Sequence, residues 1–471
     1  MKKFTLSLLG LYLSALMAFG QAAKDTSSYK STPLKIDEVN FVSGYYSQDG
    51  NHSAVTGGVG TESLTNFSNV IDLTMSKRSS YKLHTFGVQL GIDHYTSASS
   101  DMIDGWKGGT LPAGGWTKGD DVVNPNANPS LLKSSTISRA SGGSTPSVQT
   151  GASNAIYSRA SRADNHIYPS LSYTYKNELK RFQLGANLAY SHEFDYESRG
   201  ATLSFAKFSK DENRELAVKL SAYLDEWKVI IPKELRDNVD YSSIIGYSYK
   251  GVVGYRGIVP YGSGSESDPG PVAHSPRNSF NASFVLSQVV NPRLQLALLL
   301  DVAYQHGLLG TSYQRVWFND NSLRYENLPD SRFKLPVGIR GSYFLGDRVI
   351  LKGFYRYYWD NWGIRANTAE LELPVKLTPF LSLAPFGRYY QQSAAKYFAP
   401  YKQHAIDEPY YTSDYDLSKF DSQSYGLNLR FTSADGILGM RVFNAVEVRY
   451  GHYNRSDGLY SNMIAVSLKF K

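Results

Sequence analysis

Glu370 and Glu372 stand two residues apart, and in an extended chain both side chains leave the same face. Two carboxylates side by side are what general acid/base chemistry needs. Alternating polarity along a strand creates such pairs by default, so spacing alone assigns no catalyst. The same parity gathers a larger set. Lys219, Lys334, Arg340, Lys352, Arg356, Lys376, Arg388, Arg430 and Arg449 share the polar face of their segments with Asp72, Asp93, Asp301, Asp360, Glu370, Glu372 and Glu447. Charges so gathered are stable only where water or an opposite charge solvates them. One outcome is an aqueous pore whose basic ladder biases passage toward anions or acidic solutes. The other is a lumen zipped shut by ion pairs among Arg356, Arg388, Glu370 and Glu372. Of this set, Lys219, Arg340, Lys352, Arg356, Glu370, Glu372, Arg388, Arg430 and Arg449 are the expected solute-contacting residues.

Other chemistries find little support. The nine histidines, including His52, His84, His94, His166 and His192, form neither HxxxH nor HExxH, the spacings a zinc site would use. No GxSxG nucleophile elbow occurs. Ser413-Asp414-Tyr415-Asp416 with Asp421 offers oxygen ligands for calcium, but EF-hand spacing is missing. The chain has no cysteine, which excludes disulfides, thiolate metal sites, iron–sulfur clusters and covalent haem. No enzyme, cofactor or resident metal is expected. The net charge of +7 is modest for 471 residues, and no Lys/Arg block is present, so nucleic acid is not an expected partner.

The elements that must position these residues are strands. At the C-terminus Ile464, Val466, Leu468 and Phe470 point one way and Ala465, Ser467 and Lys469 the other. That is a strand with one apolar face, and a terminal aromatic is typical of outer-membrane barrels. Met1-Lys2-Lys3, the apolar run to Phe19 and the small residues before Gln21 read as a signal peptide, residues 1–20. Residues 21–471 are expected to form a single barrel domain. No later run of about 18 apolar residues remains for a transmembrane helix. The mean hydropathy of −0.35 suits a barrel, in which only alternate residues meet lipid. The 36 tyrosines suit the aromatic girdles of its two interfaces.

Alternation predicts about sixteen antiparallel strands of about ten residues each, an up-and-down all-β transmembrane barrel. The clearest apolar rows are Leu294-Leu296-Leu298-Leu300-Val302-Tyr304, Phe182-Leu184-Ala186-Leu188-Tyr190 and Phe86-Val88-Leu90-Ile92. Short polar turns alternate with longer links near 47–66, 97–166, 226–278, 306–331 and 392–421, plus brief ones near 192–199, 360–363 and 453–458. With the first strand, near 35–46, running outward, every long link lies outside and both termini lie in the periplasm. The link near 97–166 is rich in Gly, Ser, Asn, Thr and Pro, which reads as a surface loop or a plug. The 226–278 link, with Trp227-Lys228-Val229-Ile230-Ile231-Pro232, reads as able to fold inward or cap the mouth.

Four blocks carry a resemblance: 47–62, Arg356-Tyr-Tyr-Trp-Asp-Asn-Trp-Gly-Ile364, Tyr410-Tyr-Thr-Ser-Asp-Tyr-Asp-Leu-Ser418 and Arg449-Tyr-Gly-His-Tyr-Asn-Arg-Ser-Asp-Gly-Leu459. They resemble an uncharacterised family of bacterial outer-membrane β-barrel proteins, a domain of unknown function. The resemblance covers most of the chain beyond residue 20 and implies an outer-membrane location. It also implies, by association with neighbouring genes, lipoprotein or periplasmic partners in extracytoplasmic redox or metal handling. It carries over no functional residue. The reading from sequence is thus a porin-like channel or exporter for a small polar or acidic solute. Its alternative is a closed barrel that scaffolds such a partner.

Overall fold

The computed structural model describes residues 33–96, 163–230, 258–259 and 272–471. Among these, sixteen strands close into one antiparallel cylinder. They are β1 (Lys35–Asp49), β2 (Leu64–Ser79), β3 (Lys82–Thr96), β4 (Ala163–Asn177), β5 (Phe182–His192), β6 (Tyr196–Phe208), β7 (Arg214–Ile230), β8 (Val272–Asn291), β9 (Leu294–Gly307), β10 (Ser331–Phe344), β11 (Ile350–Asp360), β12 (Arg365–Glu372), β13 (Leu381–Gln392), β14 (Phe420–Thr432), β15 (Phe443–Arg455) and β16 (Tyr460–Phe470). Each pairs with its sequence neighbour. β16 returns to pair with β1 from Asp49↔Tyr460 to Val39↔Phe470, which leaves no free edge. Hydrocarbon offers no partner to a backbone N–H or C=O, so closure is what makes the sheet viable there.

The apolar rows face outward. Leu188, Leu203, Leu220 and Leu298 expose 63%, 63%, 52% and 54% of their surface. Continuous rows of this kind would be costly in water, at about 25 cal/mol per Å². Lipid removes that cost. Tyr45, Phe67, Tyr190, Phe280, Tyr304, Tyr389 and Tyr425 ring the outer ends of the strands, and Phe86, Tyr173, Tyr343, Phe380 and Phe431 ring the inner ends; all are exposed. An apolar belt between two aromatic girdles is the exterior of an outer-membrane barrel. The protein resides in the outer membrane.

At the inner end the described links run from residues 80–81 to the ten-residue link 433–442. Ser80, Arg181, Glu212 and Leu438 there take left-handed backbone, with φ of 55°, 53°, 57° and 53°, as tight reversals require. At the outer end lie 50–63, 308–330 and 393–419, together with the brief links 193–195, 361–364 and 456–459. Two expected boundaries are corrected. β4 already pairs with β3 at Thr96↔Ala163, and β7 continues through Trp227 and Val229 to Ile230↔Val272. Trp227 and Val229 therefore belong to the wall: the indole packs edge-on against Tyr196 at 5.0 Å, and Val229 is buried. A ladder can outrun the lipid belt, and alternation of apolar residues does not mark where it stops. Residues 97–162 and 231–271, apart from 258–259, lie outside the described residues, and with them the plug and cap expectations; so does the expected signal peptide.

The orientation makes a test. Leu298→Arg on the lipid face of β9 is expected to cost about 2–4 kcal/mol of unfolding free energy. The neighbouring lumen change Gln295→Arg is expected to cost less than about 1 kcal/mol. Equal losses in denaturant titrations of the refolded barrel would contradict this assignment of faces.

Candidate functional site: a charged lumen under a loop roof

Residues opposite one another across a ladder share a face, so the registers carry one lumen row around the wall. Gly338↔Arg356, Arg340↔Phe354 and Ser342↔Lys352 join β10 to β11. Lys352↔Glu372 and Phe354↔Glu370 extend the row to β12, and Glu370↔Arg388 to β13. Ser382↔Arg430 reaches β14; Arg430↔Glu447 and Asn428↔Arg449 reach β15. Across the barrel Lys219↔Ser283 and Ser283↔Asp301 continue it on β7, β8 and β9. All nine residues named from parity therefore share the inner face. Arg277, Arg332, Arg455 and Lys469 lie on it too. Arg455 falls in a brief link as drawn from sequence, near 453–458; alternation carried three residues further, to the end of β15, includes it.

The ion pairs are fewer than a zipped lumen requires. Lys352 Nζ lies 2.9 Å from Glu372 Oε1, so one of the two adjacent glutamates is engaged. Arg430 and Glu447 approach only to 4.0 Å, and Lys469 pairs with Glu38. Glu370 and Arg388 are register partners without an ion pair. Among the described residues, Lys334, Arg340, Arg356, Arg388 and Arg449 have no carboxylate within ion-pair distance. Aromatic faces hold two of them: Arg449 lies 4.2 Å from the Phe386 ring centre and Arg340 lies 5.6 Å from that of Phe354. Such stacking fixes a guanidinium without cancelling its charge.

Asp360 is structural. It is fully buried and binds Arg332 through Nη2 at 2.5 Å and Nε at 3.0 Å. It also accepts from the Tyr358 hydroxyl and the Ile364 amide. Arg332 in turn stacks on Trp362 at 4.4 Å. This clamp anchors a roof across the outer mouth.

The roof is built from links on opposite walls. Loop 308–330 joins β9 to β10 and loop 50–63 joins β1 to β2, eight strands away around a cylinder of sixteen. They meet where Gly57, at φ 79°, leaves no room for a side chain: a Cβ there would lie 2.7 Å from the Trp317 ring and 3.3 Å from the Arg315 carbonyl. Loop 393–419 ties both together. Asn327 and Tyr411 exchange backbone hydrogen bonds at 3.1 and 2.8 Å, and the Asn319 amide donates to the His404 carbonyl at 3.0 Å. His52 stacks on Tyr415 with ring centres 3.4 Å apart. Val316, Phe318 and Tyr411 form one buried core, and Leu309, Leu328, Trp362, Ile364, Ala395 and Leu417 another.

Carboxylates sit inside this roof. Glu326, almost wholly buried, accepts from the Thr311 amide and the Thr412 hydroxyl. Burial and the nearby Asp414 carboxylate raise its pKa, and burial likewise raises that of Asp414. Burial pushes Glu62 up to about 7 against the pull of Arg455. The candidate calcium segment is committed elsewhere. Asp414 accepts from the Asp416 amide at 2.9 Å, and Asp416 pairs with Arg455 at 2.5 Å. Among the described residues no group of three or more His, Asp or Glu is placed to hold a metal ion.

No curated protein matches the sequence. Several solved porin structures share its outline at low similarity. OccD3 (OpdP) of Pseudomonas aeruginosa is 7% identical, covers 96% of each chain and has a TM-score of 0.39. A BenF-like porin from Pseudomonas fluorescens Pf-5 is 9% identical over 92% of this chain and 98% of its own, with a TM-score of 0.38. P. aeruginosa OpdK, solved with vanillate, is 7% identical over 93% and 98%, with a TM-score of 0.37. Likeness at that level assigns neither solute nor mechanism. Residues 8–457 match the family model described as protein of unknown function (DUF3570), and the chain belongs to that family.

Proposed function

We propose that the protein is a diffusion channel for small polar solutes and that its basic wall favours those bearing an acidic group. The observation that supports this reading is the set of four lumen arginines, Arg340, Arg356, Arg388 and Arg449 on β10, β11, β13 and β15, that no described carboxylate pairs with. Unpaired charge on a wall is stable when water fills the space beside it. Rings of Arg and Lys lower the barrier for anions and raise it for cations. The roof narrows the mouth and leaves selection to the wall below. Purified full-length barrel in planar bilayers should give discrete conductance steps whose reversal potential in a salt gradient favours anions. A folded, heat-modifiable barrel that passes no current would defeat the reading. Silence together with a co-purifying lipoprotein would point to the closed scaffold instead.

A further inference from the structure

Lumen charges are sorted by wall. Among the described residues, the lumen arginines without a carboxylate partner, Arg340, Arg356, Arg388 and Arg449, lie on β10–β15, built from the last third of the chain. Glu370 is an unpaired carboxylate among them, and Lys219 on β7 and Arg277 on β8 are unpaired cations outside that wall. Across from that wall, β2–β7 carries Asp72, Asp93, Asp164 and Asp225 on its inner face, with Glu193 in the β5–β6 turn. In a closed cylinder of sixteen strands, β3–β7 lies opposite β11–β15.

Both walls use the same device. The acidic side chains are held mainly by hydroxyl groups. The Tyr95 hydroxyl donates to Glu193 at 2.8 Å and the Tyr168 hydroxyl to Asp93 at 3.1 Å. Tyr196 and Ser198 both donate to Asp225, the latter at 2.6 Å. His166 stands 3.7 Å from Asp93 and 3.8 Å from Glu193, and it adds charge only when protonated. Hydroxyl donors orient a carboxylate and leave its negative charge standing, as Phe386 and Phe354 do for the arginines opposite. Asp195, beside this rim, is pushed up to about 6 by burial and by Glu193 and Asp164, as expected where negative charge is uncompensated. A purely anionic solute gains from one wall and is repelled by the other.

At the inner end the two signs converge. A cavity of about 160 Å³ is lined by Asn40 and Asp72 from β1 and β2 and by Arg430, Glu447 and Lys469 from β14–β16. It is sized for a few heavy atoms and offers both an acceptor and a donor pole.

We propose that the preferred solute is a small zwitterion, with an ammonium and a carboxylate or sulfonate group, which travels with its cation toward β3–β7 and its anion toward β10–β15. This rests on the channel reading above and narrows it. The test is tracer exchange at equal concentrations across proteoliposomes, using taurine, isethionate and choline as size-matched zwitterion, anion and cation. Taurine should exchange at least about threefold faster than isethionate, because its dipole aligns with the field between the walls. In the variant Asp93→Asn with Glu193→Gln, isethionate exchange should rise and the taurine preference should vanish. Heat-modifiable mobility confirms folding of that variant. Arg356→Gln with Arg388→Gln provides a second variant, on the other wall, that should also lose the preference. Isethionate passing as fast as taurine through the unaltered protein would overturn the zwitterion proposal and leave the channel standing. No exchange of any probe would overturn the channel itself.

Discussion

Conductance rises as the medium is taken from about pH 5 to about pH 8, and Glu62→Gln/Glu326→Gln/Asp414→Asn abolishes the rise. The three carboxylates come from loops 50–63, 308–330 and 393–419, which meet only in the roof. Each is raised by burial, with Asp414 adding to Glu326, Asp416 adding to Asp414 and to Glu62, and Asp457 adding to Glu62. Arg455 opposes this at Glu62 and Asp414, and Arg277 opposes it at Glu326. A carboxyl raised in the assembled roof is neutral there at acid pH, so the roof keeps its full stability below the ordinary carboxyl range. That stability is lost as pH climbs through the raised value. For Glu62 the window runs from its ordinary 4.5 to about 7. Over that span this one group moves the equilibrium between assembled and parted loops by on the order of a hundredfold, since each tenfold corresponds to about 1.4 kcal/mol. Single-channel recording against pH reads the outcome. A conductance that falls with pH, or a variant that retains the dependence, would show that these groups do not hold the roof.

Neutralising the free cations has the second large effect. In Arg340→Gln/Arg356→Gln/Arg388→Gln/Arg449→Gln the reversal potential in a salt gradient should shift by tens of millivolts toward cations, at least about threefold in permeability ratio. Glutamine keeps most of the side-chain volume and a donor, so the bore changes little. At about 0.1 M salt the screening length is about 10 Å and the wall field reaches well into the lumen. At about 1 M it falls to about 3 Å, and variant and parent should converge. A variant that keeps the parent's selectivity at low salt would place the filter elsewhere. Lys352→Gln is the internal comparison: Lys352 is already paired with Glu372, so its loss should shift selectivity less than the loss of Arg356.

The candidate site is partly legible in the sequence. Parity assigned Arg356, Arg388 and Arg449 to one face because the side-chain period of a strand is two, whatever the strand packs against. Parity did not reveal which charges meet. Glu370 and Arg388 looked as ready to pair as Lys352 and Glu372, and only the latter do. Whether two side chains close an ion pair depends on rotamers and on what else competes, such as the ring of Phe386 under Arg449. Asp360 belonged to the same parity set, yet it is buried under Trp362 and Arg332 because a loop folds back over the strand end.

By itself the chain's alternation determined that there would be a barrel, about how many strands it would have and which face each strand turns to lipid. Those properties are local and follow from the geometry of extended backbone. Closure decided the rest. Bringing β16 beside β1 sets residues hundreds of positions apart across a single lumen, so Arg388 comes to face the wall that carries Asp93. It also lets loops 50–63 and 308–330 meet at Gly57 and Trp317 and enclose Glu62 and Glu326. Such opposition depends on curvature and shear accumulated over all sixteen strands, which no window of neighbouring residues encodes.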